Sequence, residues 1–101
     1  SEVGKITEER DLLLKNKFKS SDEFVHLIES HFKRWDFSES EKIIALYLLK
    51  GKSVKEISEM RNVVESTIRN QCHYIYSKSG LGGKHELASF FLQQLFSPEE
   101  N

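Results

Sequence analysis

Proline occurs once in the 101 residues, at Pro98, and before residue 51 glycine occurs once, at Gly4. So little punctuation excludes a fold of short strands joined by many tight turns, and no stretch alternates apolar with polar residues at period two. Cysteine also occurs once, as Cys72, which excludes an internal disulfide and makes a reducing cytoplasm the simplest setting. No apolar run approaches the ~18 residues that a membrane-spanning helix needs, and no signal-peptide pattern opens the chain. The sequence begins at Ser1 rather than Met, which is compatible with an upstream sensor or membrane segment outside it. What is present, 38% hydrophobic and 31% charged residues, suits one soluble domain with a core of modest size.

A strong net charge is missing too: the formal sum is −1. Its distribution is uneven. From Lys50 to Lys84 there are seven basic residues (Lys50, Lys52, Lys55, Arg61, Arg69, Lys78 and Lys84) and three acids (Glu56, Glu59 and Glu65). That window therefore carries a surplus of four positive charges and the remainder of the chain −5. Segregated positive charge is the footprint expected of a nucleic-acid contact.

Helical signals run almost end to end, so the expected class is all-α. In "FSESEKIIALYLLKGKS", Ser38 and Glu41 form a capping-box pair and Gly51 suits a left-handed stop. A second pair, Ser53 and Glu56, opens a short helix to about Met60. The turn "RNVV" leads into "VESTIRNQCHYIYSKSG", a helix ending near Gly80, and "HELASFFLQQLF" forms the last one. The expected organisation is a helical N-terminal segment at 1–35, a domain at 36–97 and a tail at 98–101. In the first segment Leu14, Phe18, Ser21, Val25, Ile28, Phe32 and Trp35 recur at heptad-like spacing, while Ser20 with Glu23 marks a competing break. One or two amphipathic helices are therefore expected there. They either pack on the following domain, pair with a second copy, or link to an upstream sensor.

A short helix, a tight turn and a polar-faced helix form a helix-turn-helix layout. On the second helix Ile68, Cys72, Ile75 and Tyr76 fall on one side. Ser66, Arg69, Asn70, His73 and Ser77 fall on the other, with no carboxylate after Glu65. Arg and Asn match guanine and adenine edges in the major groove, and Ser, Thr and Lys hold phosphates, whereas carboxylates would repel them. Lys55, Ser66, Thr67, Arg69, Asn70, His73, Lys78 and Lys84 are the candidate contacts to double-stranded DNA. For His73 a phosphate contact and plain solvation are both open. Cys72 reads as a core residue, Tyr74 and Tyr76 as packing residues, and His26 with His31 lacks the partners of a metal site. No cofactor, metal or catalytic constellation is expected.

The blocks "FSESE", "GKSVKEIS", "VESTIRNQ", "IYSKSG" and "GKHEL" occur in that order. Through them the segment from about Trp35 to Phe96 resembles the LuxR/FixJ/GerE-type DNA-binding domain, and in particular short bacterial regulators, several with membrane helices upstream. The resemblance implies a four-helix helix-turn-helix domain that binds duplex DNA as the output of a transcriptional regulator. It implies that Glu41 buttresses the scaffold, that Glu56 and Ile57 fix the bracing helix, and that Thr67, Arg69 and Lys78 serve DNA contact. Val64 departs from the family's capping Ser, Gln71 from His, Ser79 from Leu and Lys84 from Arg. Phe90, Phe91, Leu92, Leu95 and Phe96 exceed what one core face needs and suggest a partner surface. In the family the last helix commonly supports dimerisation, which points to Phe90 and Gln94 in a homodimer, with RNA polymerase a further candidate partner. The rival expectation is a helix-turn-helix fold that binds protein rather than DNA.

Overall fold

The computed structural model describes residues 21–96. Five helices and no strand occur among the described residues: α1 (Ser21–Arg34), α2 (Glu39–Leu49), α3 (Val54–Arg61), α4 (Glu65–Ser79) and α5 (Lys84–Phe96). Leu14, Phe18 and Ser20 of the expected N-terminal pattern, and the tail at 98–101, lie outside the described residues.

Local chemistry fixes most of the boundaries. Ser38 Oγ accepts from the Glu41 N–H (3.2 Å) while Glu41 Oε1 accepts from the Ser38 N–H (2.8 Å), which satisfies two otherwise free donors at the start of α2. Ser53 and Glu56 repeat the device at α3, at 3.1 and 2.9 Å. At the other ends the chain turns through left-handed residues. After α2, Gly51 (φ 86°) allows the Lys52 N–H to reach back to the Tyr47 carbonyl. After α3, Asn62 (φ 57°) does the same, with the Val63 N–H on the Ser58 carbonyl. The end of α1 uses Asp36 (φ 58°), with the Phe37 N–H donating to the Phe32 carbonyl. The matching ring contact between Phe32 and Phe37, centroids 5.1 Å apart, completes a Schellman stop.

The core is one cluster. Ile44, Ala45 and Leu48 of α2, Ile57 of α3, Ile68, Cys72 and Ile75 of α4, and Leu87 and Phe91 of α5 meet in it. Ile28 and Phe32 bring α1 into the same cluster, so α1 packs on the domain. It does so on a face turned from the expected one. Phe24, Ile28, His31, Phe32 and Trp35 point inward or partly inward, whereas Val25 is 47% exposed. The reason is the pairing with α5: Trp35 and Phe90 (5.3 Å) and Phe32 and Phe91 (6.1 Å) decide which side of α1 is covered.

Candidate nucleic-acid interface

A three-residue turn, Asn62 to Val64, joins the eight-residue α3 to α4. The turn is held by the Val63 N–H on Ser58 and by the buried Ile57 and Ile68, which lock the two helices into the common core. Arg61 Nη2 reaches Ser40 Oγ at 3.5 Å and ties α3 to α2. On this support α4 buries Ile68, Cys72 and Ile75, as their spacing implied, and turns its other side outward.

The outward stripe is Ser66, Asn70, His73 and Ser77, all exposed and one below another at helical spacing. Arg69 borders it on one side, Thr67 and Tyr74 on the other, and all three are exposed. Tyr74 corrects an expectation: it is 56% exposed and packs only edge-on against the neighbouring His73 ring (5.9 Å), so it belongs to the outward face. Tyr76 packs inward, and burial pushes its phenol up to about 12. Burial likewise raises the Cys72 thiol, which keeps it neutral and in the core.

The cations divide into two groups. Arg69 stays on the surface and pairs with Glu65 one turn earlier at 3.4 Å, an exposed contact of small energetic weight. Lys55 is exposed at the start of α3. Lys78 and Lys84, in contrast, are engaged by the fold itself. Lys78 Nζ donates to Glu41 Oε1 (2.7 Å) and to the Asp36 carbonyl (3.1 Å), which pins the end of α4 to the start of α2. Glu41 is 6% exposed, and burial opposes its charge. Hydrogen bonds from Lys78 and the Ser38 backbone, with the Lys78 charge, outweigh burial and hold the carboxyl below its ordinary range. Lys84 Nζ donates to the carbonyls of Gly51 and Lys52, both at 3.0 Å, and so neutralises the negative end of α2.

Two departures noted in the sequence have distinct outcomes. Val64 occupies the cap position of α4 with no side-chain hydrogen bond, leaving backbone N–H groups at the helix start open to solvent or ligand. Ser79 is compensated: its hydroxyl donates to the Tyr76 carbonyl and accepts from the Leu81 N–H, both at 3.3 Å. The proposed dimer residues on α5 are covered. Phe90 is half-buried against His31 and Trp35, and Gln94 is buried with its Oε1 lacking a hydrogen-bond partner. The most exposed large apolar side chain of that helix is Leu92. Among the described residues no group of three metal-ligating side chains occurs and no helix is long and apolar enough to cross a membrane. No family model, curated protein or solved structure matches this chain.

Proposed function

We propose that the chain binds duplex DNA by inserting the outward face of α4 into the major groove. The observation that carries this reading is the exposed stripe Ser66, Asn70, His73 and Ser77, free of acids beyond Glu65 and backed by Ile68, Cys72 and Ile75 buried against the capped helices α2 and α3. Asn70 supplies the paired donor and acceptor that fit an adenine edge; the hydroxyls and the free N–H groups at the start of α4 suit phosphate. Lys55 and Arg69 are the accessible cations beside the stripe. The sequence resemblance to LuxR-type domains supports the same role, as the output part of a transcriptional regulator working as a homodimer. Since Lys78 and Lys84 are engaged internally, few phosphates are neutralised per copy, and affinity falls with salt on a shallow slope.

Fluorescence anisotropy on a random-sequence duplex pool across a salt series tests the proposal. Binding at low salt that weakens as salt rises is expected; no binding at low salt removes it. On a selected site, Asn70→Ala is expected to cost about 1–3 kcal/mol and to leave binding to unrelated duplexes unchanged. A second reading, a protein-binding module, is favoured by Arg69 being paired and by Met60, Val63 and Val64 standing exposed around the turn. A chain that ignores DNA yet loses a protein partner on Val64→Ser would fit that reading instead.

A further inference from the structure

The start of α4 breaks a local rule. A helix cap ordinarily carries an oxygen that accepts from the N–H of the second or third helical residue, and an apolar β-branched side chain forgoes that bond. Val64 holds the cap of α4 with extended backbone (φ −73°, ψ 155°) and no side-chain hydrogen bond, whereas α2 and α3 both begin on a Ser with a full capping box. Packing does not compensate, because Val64 is 66% exposed, the highest value among the exposed large apolar side chains. A residue that costs stability without gaining burial is expected where the side chain serves a ligand rather than the fold.

Val64 stands at the end of α4 that a helix-turn-helix domain directs at base edges. Its carbonyl accepts from the Thr67 N–H at 3.1 Å, and Thr67 and Asn70 follow at three-residue intervals, both exposed. Glu65, next in sequence, meets Arg69 at 3.4 Å on another side of the helix. The two methyls of Val64 therefore adjoin a hydroxyl and an amide within the polar face. Among the four bases only thymine presents a methyl group in the major groove, and an apolar side chain is what reads it. Resting on the reading of α4 as a major-groove helix, we propose that Val64 packs on the C5-methyl of a thymine and so helps to set which duplex is preferred. Val64 lies about 9 Å from Asn70 along α4, a length of about three base-pair steps. The thymine therefore falls within about three base pairs of the adenine that Asn70 meets. A serine in its place would cap the helix or hold a phosphate and carry no base information.

The test uses a duplex selected by the full chain from a random-sequence pool. Each thymine in turn is replaced by deoxyuridine, which deletes the methyl and keeps every hydrogen-bonding group. The expected result, read by anisotropy, is a thymine position where replacement weakens binding about fourfold, the worth of one buried methyl group. That position should lie within about three base pairs of the one at which Asn70→Ala loses discrimination. Val64→Ser is expected to bind the thymine and deoxyuridine duplexes equally, while Val64→Ile and Val63→Ser keep the difference. Deoxyuridine tolerated at every thymine, with binding retained, overturns the contact and leaves the DNA reading standing. So does a methyl preference that survives Val64→Ser, which assigns the methyl to another side chain. Failure to bind any duplex at low salt removes the DNA reading and the contact with it. The deoxyuridine comparison is made on the unaltered chain and does not depend on how a variant folds.

Discussion

The α2–α4 support and the α1–α5 seam bury comparable side chains but are built on different principles. The support meets through compact aliphatic groups, Ile44, Ile57, Ile68 and Ile75, all fully buried, with helix ends closed by two capping boxes and an ion pair whose carboxylate is buried and whose lysine is partly exposed. The seam meets through large rings, Phe32, Trp35, Phe90 and Phe91, around an imidazole, with an apolar groove lined by Phe24, Ile28 and Leu92 beside it. Branched aliphatic side chains interdigitate at high density and have few alternative arrangements. Aromatic pairs instead contribute through large contact area and specific tilted or edge-to-face geometries, here between 39° and 84°. The lesson is that an aliphatic platform under α4 and an aromatic attachment of α1 share one core.

The largest expected effect lies in the support. Ile57→Ala, at a fully buried site, should cost about 2–5 kcal/mol in urea unfolding and melt α3 and α4 together. A loss confined to the seam, with α3 and α4 retained by hydrogen exchange, would break the distinction drawn above.

Next comes the pin between α4 and α2. Lys78→Ala leaves Glu41 buried with only its capping contacts and should cost about 1–3 kcal/mol, less than a fully enclosed pair because Lys78 is partly exposed. Glu41 has a depressed pKa, so its contribution is present above about 4.5 and is lost as pH falls through the folded value. The variant should therefore show weaker acid dependence of stability below about 4.5 than the parent. Unchanged stability combined with loss of DNA affinity would instead make Lys78 a phosphate contact alone.

Smaller still is the open cap of α4. Val64→Ser should raise stability by about 1 kcal/mol by restoring a side-chain acceptor to the helix start. A thermal melt detects a change of that size, and a loss would show that Val64 contributes packing its 66% exposure does not suggest. The smallest stability effect belongs to Arg69→Ala, about 0.5 kcal/mol or less, because its pair with Glu65 is exposed. The same change should weaken binding to all duplexes alike, measured by anisotropy at fixed salt, if Arg69 holds phosphate.

Sequence by itself determined whatever is satisfied within a few residues. The Ser38–Glu41 and Ser53–Glu56 boxes, the Gly51 and Gly80 stops, and the inward side of α4 with Cys72 were legible because each depends on neighbours three or four positions away. The polar stripe of the candidate interface was legible for the same reason, since helical periodicity alone puts Ser66, Asn70, His73 and Ser77 together. Tertiary structure decided the rest. It chose Phe24 rather than Val25 for the covered side of α1, because the rings of α5, far along the chain, supply the partner surface. It placed Tyr74 outside and left-handed turns at Asp36 and Asn62, where no glycine announces them. It also gave Lys78 and Lys84 acceptors 37 and 33 residues away. A lysine's composition and spacing tell where its charge can go, but only the packed chain brings a carboxylate or a helix's terminal carbonyls within 3 Å of it.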